Sequence, residues 1–356
     1  MEKEVKLMKG NEAIAEAAIR AGTDAYFGYP ITPQSEVLEY LTAEKPYERT
    51  GMILLQAESE VAVINMLYGG AGCGKKVMTT SSSPGISLMQ EGISYIAGAE
   101  LPCLIVNVVR GGPGLGTIQP AQSDYFQATK GGGHGDYRLI VLAPASVQEM
   151  ADFVELAFDL AFKYRNPAMI LSDGAIGQMM EKVTFKPQKE RSKELPAWAT
   201  TGKTPDRERN IITSLDLNPL KQEEFNFKLQ KKYHEMQEKE VRFELFQCDD
   251  AEYLVIAYGT SSRVSQKTIQ LARMEGIKLG MLRPITLFPF PTKEINRLAD
   301  QVKGMLTVEM STGQMVEDVR MAVNGKIPVE HFGRMGGIIP TAEEVVENLK
   351  KKIIGG

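Results

Sequence analysis

The spacing of apolar positions changes repeatedly along the first half of the chain. In "NEAIAEAAIRAG" (11–22) Ile14, Ala17, Ala18 and Ala21 recur at helical spacing, with Asn11 read as the N-cap and Gly22 as the stop. "AYFGYP" then predicts a strand and "PQSEVLEYLTAE" a helix. "MILLQ" and "KVMTTS" predict two more short strands, each followed by a helical stretch. "LPCLIVNVVR" and "RLIVLAP" are β-branched, largely apolar runs, the pattern of strands covered on both faces. "SVQEMADFVELAFDLAFKY" carries the stripe of an amphipathic helix, and "PAMILSD" closes the series. Strands separated by helices pair in parallel, so residues 1–182 are expected to form an α/β domain with a doubly wound, mainly parallel sheet.

After residue 182 the texture changes. "KVTFKPQKERSKELPAWATTGKTPDRERN" is charged, contains proline and lacks apolar period, which suits a linker over a surface. Asn218 and Pro219 read as N-cap and first residue of a long charged helix running through "LKQEEFNFKLQKKYHEMQEKEVRFELF". Residues 183–246 are thus a linker with a helix, and 247–356 a second α/β domain with strands in "EYLVIAYG", "IKLGMLRPITL", "MLTVEM" and "PVEHFG". Its last helix opens on a T-x-x-E capping box, Thr341 to Glu344.

Composition narrows the function classes. The chain has 356 residues, 43% hydrophobic and 24% charged, with net charge −4, so nothing electrostatic favours nucleic acid or an anionic membrane. No apolar run reaches the ~18–20 residues of a membrane span, and "MEKEVKLMKG" has no apolar signal core, so a cytoplasmic protein is expected. Cys73, Cys103 and Cys248 have no C-x-x-C spacing and supply neither an iron–sulfur ligand set nor a disulfide framework; all three read as buried small apolar residues. His134, His234 and His331 have no metal-ligand spacing, and no metal site is expected on this chain.

Several motifs fail. "GGAGCGKK" (69–76) has Lys76 where a P-loop needs Ser or Thr, and it follows a helix rather than a strand, so it reads as a glycine-rich helix stop. "RGGPGLG" and "KGGGHGD" do not fit G-x-G-x-x-G at the opening of a helix, and no G-x-S-x-G elbow occurs. Nicotinamide-dependent hydride transfer, ATP hydrolysis and serine esterase chemistry lose ground together.

The unusual residues instead gather at strand ends, where open parallel sheets bind ligands. "GYPITP", "AESE", "SSSPG" and Arg110 with "GGPGLG" each follow a predicted strand, and should share one rim. Glu60 opens the stretch "EVAVINMLYGG", which is apolar nearly all round and expected to be buried. Its carboxylate either complements the helix N-terminus or meets a polar ligand. Thr32 before Pro33 is equally a helix N-cap, and Arg110 equally the partner of an acidic neighbour.

The stretches "GYPITP", "QAESEVAV", "TTSSSPGISLMQEGISYIAGAELP" and "VVRGGPGLGT" together strongly resemble the α-type chain of the 2-oxoacid:ferredoxin oxidoreductases, which are thiamine-diphosphate enzymes. "VIAYGTSSRVSQ" and "LRPITLFPFP" extend the resemblance to that family's transketolase C-terminal-type domain, so it covers nearly the whole chain. The branched-chain type that oxidises 3-methyl-2-oxobutanoate is most similar; 2-oxoglutarate and pyruvate types are the alternatives. The resemblance implies that Glu60 faces N1′ of the cofactor's aminopyrimidine and shuttles a proton with it. It implies that Thr32 and Arg110 hold the 2-oxoacid, Arg110 gripping the carboxylate with its planar fork. Tyr29, Pro30, Ser83, Pro84 and Gly85 are implied to border the cofactor. Pro30 and Pro33 would fix the turn that presents Thr32.

The family's diphosphate and magnesium signature, G-D-G with a downstream Asn, is absent, and "SDGAIG" is no substitute. The resemblance therefore implies half of a split site, with a diphosphate-binding β-type subunit supplying the magnesium ligands. A γ-type subunit and a ferredoxin-like subunit with the iron–sulfur clusters complete the expected complex, which takes a 2-oxoacid, coenzyme A and external ferredoxin. The pyrimidine-domain pattern begins almost at the N-terminus, so a CoA-binding γ-type domain is expected on another chain. A non-redox split thiamine enzyme and a non-catalytic scaffold are the rival readings.

Overall fold

A computed structural model describes residues 4–355. Its larger sheet has seven strands, in the spatial order Thr286–Phe288, Ile140–Leu142, Ala168–Asp173, Leu104–Val109, Val77–Ser81, Ala25–Gly28 and Ile53–Gln56. All pair in parallel except Thr286–Phe288, which runs antiparallel to Ile140–Leu142. Leu104–Val109 and Ala168–Asp173 are buried at every position, as their near-continuous apolar runs require. The second sheet has five strands, in the order Val329–Gly333, Gly304–Glu309, Tyr253–Ile256, Leu279–Pro284 and Phe243–Phe246. A two-stranded antiparallel ribbon pairs Glu4–Lys9 with Met180–Phe185. Among the described residues no helix is long and apolar enough to cross a membrane.

The expected alternation holds, and so do the long helix started by Asn218 and Pro219, and the Thr341–Glu344 capping box. Several expectations fail. The first helix runs Gly10–Arg20 with Lys9 at the N-cap, where Glu12 accepts the Lys9 N–H at 3.0 Å. Asn11 lies inside that helix, and its amide instead donates to the Pro33 carbonyl at 2.7 Å and to Glu36 at 2.9 Å. The second helix begins at Ser35 with Gln34 before it, so Thr32 is not an N-cap. The long helix stops at Lys239 rather than continuing through Phe246. Phe243–Phe246 is a strand because it meets an open sheet edge, pairing antiparallel with Leu279–Pro284, where Glu244 stands opposite Arg283. Of the cysteines only Cys103 is buried; Cys73 is exposed and Cys248 half-buried.

"IKLGMLRPITL" splits into two strands, and the second, Thr286–Phe288, joins the larger sheet. The two sheets are thereby stitched together, and polar contacts reinforce the seam. Arg283 forks onto Glu149 at 2.7 and 2.6 Å. Gln122 donates to the Tyr258 carbonyl at 2.8 Å and accepts from Ser261 at 2.7 Å. Asp173 accepts from the Thr260 hydroxyl at 2.8 Å.

One buried charge cluster anchors the first helix. Glu16 is fully buried and accepts from Arg20 at 2.6 Å, from Arg49 at 2.9 and 3.1 Å, and from Tyr40 at 3.1 Å. Burial alone would raise its carboxyl; the Arg49 and Arg20 hydrogen bonds outweigh burial and hold it down at about 2. A depressed folded-state value stabilises the fold above the ordinary carboxylate range, and that contribution drains away as pH falls towards 2. Glu16→Gln is expected to cost about 3 kcal/mol, the low end for a broken buried pair because Arg49 still reaches water. Urea unfolding of both proteins at pH 7 and at pH 3 checks this: the gap should be largest at pH 7 and narrow at pH 3.

Candidate functional site

Parallel pairing brings the carboxyl ends of Ala25–Gly28, Val77–Ser81 and Leu104–Val109 to one edge of the larger sheet. After Gly28 the chain must turn tightly over Tyr26. A Cβ at Gly28 would sit 2.4 Å from the Tyr26 ring, so glycine makes room for it. The Tyr26 hydroxyl, which burial pushes up to about 12, bonds Thr80 at 2.7 Å, and Thr80 in turn donates to Gln34. Gln34 donates to the Tyr29 carbonyl at 3.3 Å. Asn11 and Gln178 both bond the Pro33 carbonyl, at 2.7 and 3.1 Å. The turn is held from beneath, while the side of it bearing Pro30 and Thr32 is exposed and Tyr29 is half-buried.

Arg110 ends the neighbouring strand and is 9% exposed. Its guanidinium donates to the Thr32 carbonyl at 2.9 Å and the Leu115 carbonyl at 3.1 Å, and Nε has no partner. The Ser83 hydroxyl accepts from the Arg110 N–H at 3.1 Å. Among the described residues no carboxylate pairs with Arg110, so the acidic-neighbour reading is not met, and two neutral carbonyls leave its charge open. Nearby, Asn107 donates to Asp124 at 2.9 Å, and burial holds the Asp124 carboxyl above its ordinary range.

Glu60 is the first residue of the helix Glu60–Gly72 and is 6% exposed. The capping hydrogen bond there belongs to Ser59, which accepts from Ala62 at 3.3 Å. Glu58, exposed, bonds Ser59. Glu60 is thus spared the capping role and faces Gly85, in the first turn of Ser83–Gly98. A Cβ at Gly85 would lie 2.7 Å from Glu60 Oε1 and 2.2 Å from Ser81 Oγ. That Ser81 hydroxyl is fully buried with no hydrogen-bond partner. A buried carboxyl and an orphaned hydroxyl, brought close together because Gly85 has no side chain, offer the polar groups that a heterocycle such as an aminopyrimidine would meet. Among the described residues no group of three or more His, Cys, Asp or Glu is placed to hold a metal ion.

The helix Glu60–Gly72 departs from the expected burial all round. Val61 is 48% and Met66 37% exposed, and Leu88 on the adjoining helix is 56% exposed. The structure thus brings together Thr32, Ser83 and Arg110 by direct hydrogen bonds, and Glu60 with Gly85 by close packing; Pro84 opens the same helix as Gly85. Residue patterns did not single out Gln34, Thr80, Asn107 or Asp124, and offered Asn11 only as a helix N-cap. One signal was present: Thr79, Thr80 and Ser81 are three hydroxyl residues in succession within a wholly buried strand.

Comparison with known proteins agrees with this architecture. A profile described as Pyruvate flavodoxin/ferredoxin oxidoreductase, thiamine diP-bdg, matches residues 16–245, and Pyruvate:ferredoxin oxidoreductase core domain II matches 251–345. Fold and profiles define a thiamine-diphosphate-binding α/β class, and within it the chain belongs to the 2-oxoacid:ferredoxin oxidoreductase family. It is 51% identical over 346 residues to the ketoisovalerate oxidoreductase subunit VorB of Methanothermobacter thermautotrophicus, covering 97% of each chain. It is 37% identical over 371 residues to the 2-oxoglutarate synthase subunit KorA of Methanothermobacter marburgensis, covering 96% of this chain and 97% of the other. Among solved structures, the 2-oxoglutarate:ferredoxin oxidoreductase from Magnetococcus marinus with 2-oxoglutarate, coenzyme A and succinyl-CoA bound matches 98% of this chain at TM-score 0.86 and 27% identity. This chain spans 65% of that longer one. A split-gene transketolase in an inactive tetramer shares the fold, at TM-score 0.62 and 13% identity.

Proposed function

We propose that this chain is the pyrimidine-binding subunit of a cytoplasmic complex that converts a 2-oxoacid, coenzyme A and oxidised ferredoxin into acyl-CoA, carbon dioxide and reduced ferredoxin. The carrying observation is the placement, on one sheet edge, of a buried carboxyl spared from capping and a buried guanidinium without an acid. When bound, thiamine diphosphate supplies the nucleophilic carbon that allows a 2-oxoacid to lose its carboxyl group. Glu60 holds and returns a proton at N1′ of the aminopyrimidine, with the Ser81 hydroxyl beside it and Gly85 leaving its carboxyl room to approach. Arg110 takes the substrate carboxylate, and its bonds to the Thr32 and Leu115 carbonyls orient the fork. Thr32 presents its hydroxyl from the braced turn, and Tyr29, Pro30, Ser83 and Pro84 border the cofactor.

The substrate is a branched-chain 2-oxoacid such as 3-methyl-2-oxobutanoate. Supporting this, the loop 111–119 beside Arg110 carries Leu115 and Ile118 and no second cation for a distal carboxylate. Relatives named as ketoisovalerate oxidoreductase subunits point the same way. Magnesium ligands and iron–sulfur clusters come from the β-type and ferredoxin-like subunits, with a γ-type subunit beside them. The exposed Val61 and Met66 on the helix that Glu60 opens, and Leu88 on the adjoining helix, suit coverage by the subunit that completes the site.

Viologen reduction by the co-purified complex tests the reading. It should require coenzyme A and be faster with 3-methyl-2-oxobutanoate than with 2-oxoglutarate or pyruvate. Turnover without coenzyme A or an electron acceptor would instead mark a non-redox thiamine enzyme. Calorimetry on the isolated chain should show weak or no thiamine diphosphate binding; tight magnesium-dependent binding would overturn the split site.

A further inference from the structure

A second site lies away from the sheet edge just described. A cavity of about 580 Å³ opens where the end of the helix Pro219–Lys239, the stitching strand Thr286–Phe288 and the helix Met315–Val323 meet. It shares no lining residue with the Glu60 and Arg110 site, and its volume falls in the ~300–1,000 Å³ range of small-molecule sites. One wall is apolar and largely aromatic: Val241, Phe243, Leu287, Phe288 and Phe290. The mouth is charged, and the charges can be counted.

Asp318 is engaged by Lys130 and, at 2.5 Å, by the Tyr125 hydroxyl. Glu238 pairs with Lys293 at 2.6 Å, and Glu294 with Arg297 at 2.5 Å. Every lining acid is therefore occupied. Arg138 is different: its guanidinium donates only to the carbonyls of Tyr137 at 3.0 Å and Lys130 at 3.4 Å, and among the described residues no carboxylate pairs with it. Arg138 also lines a smaller hollow of about 260 Å³ along the same helix. An aromatic wall with one unneutralised fork at its mouth is complementary to an apolar body ending in a single carboxylate. A polyphosphate would need several free cations, and the side chains lining the cavity offer one.

We propose that this cavity binds an amphipathic monocarboxylate, its alkyl or aryl body on Phe243, Phe288 and Phe290 and its carboxylate on Arg138. The bound molecule would bridge the linker helix and both sheets, because each contributes lining residues.

The test uses the assembled complex and the soluble aryl acid 4-phenylbutyrate, with 4-phenylbutan-1-ol as its uncharged counterpart. Calorimetry should show the acid binding at least ~10-fold more tightly than the alcohol, as a charge-assisted contact implies. Arg138→Gln should reduce that preference to near unity while viologen reduction stays at the wild-type rate, and Arg138→Lys should keep part of it. Phe290→Ala should weaken acid and alcohol alike. Equal binding of the two compounds, a preference that survives Arg138→Gln, or no binding would overturn the proposal. Binding to the isolated chain but not to the complex would also overturn it, since a partner subunit would then cover the cavity.

Discussion

Glu60→Gln is expected to lower turnover of the assembled complex by at least ~10²-fold, the usual loss when a positioned acid–base group is removed. Glutamine preserves the volume packed against Gly85, where a Cβ would already come within 2.7 Å of Glu60 Oε1, so the local packing should be kept. An amide keeps a carbonyl oxygen but cannot pass a proton back and forth with N1′. Hydrogen–deuterium exchange at C2 of the bound cofactor should slow in parallel. Melting temperature should hardly move, because the capping bond at this helix is Ser59's and is untouched. If Glu60 serves only the helix dipole, the pattern inverts: a stability change of a few tenths to ~1 kcal/mol and near-normal turnover. Normal C2 exchange in the Glu60→Gln complex would exclude Glu60 as the activating acid.

The second large effect is expected at Arg110. Arg110→Lys should raise KM for the 2-oxoacid by roughly 10- to 100-fold with cofactor occupancy unchanged, the span of a charge-assisted contact of ~1.5–3 kcal/mol. Lysine keeps the charge but offers a point rather than a fork, and cannot bond the Thr32 carbonyl, the Leu115 carbonyl and a substrate carboxylate together. It is the better probe than alanine, which would strand both carbonyls and confuse binding with folding. The split between KM and kcat is the readout. An unchanged KM would make Arg110 a residue that merely ties the turn to the loop 111–119.

How much of this was legible in the chain depends on the distance over which each interaction acts. The parallel sheet was legible, because strands covered on both faces, such as Leu104–Val109, need continuous apolar runs, and apolar composition is a property of each segment alone. The Thr341–Glu344 capping box and the Asn218–Pro219 helix start were legible for the same reason, since their bonds close within a few residues. The gathering of Glu60, Thr32 and Arg110 towards one edge followed from strand ends and a family resemblance.

Where partners are distant in sequence, local pattern misled. Asn11 has the residue type of an N-cap, but its amide is spent across the fold on Pro33, while Glu12 satisfies the helix start. The segment "VRFELF" has no helix-breaking residue, and only the open edge beside Leu279–Pro284 makes it a strand. Local pattern placed the whole of the helix Glu60–Gly72 in the core, although one face stays uncovered. Whether Arg110 met an acid, whether Glu60 came up against Gly85 and whether Arg138 stayed unpaired were decided by which side chains the tertiary structure sets within ~3–4 Å, the distance over which hydrogen bonds and ion pairs act.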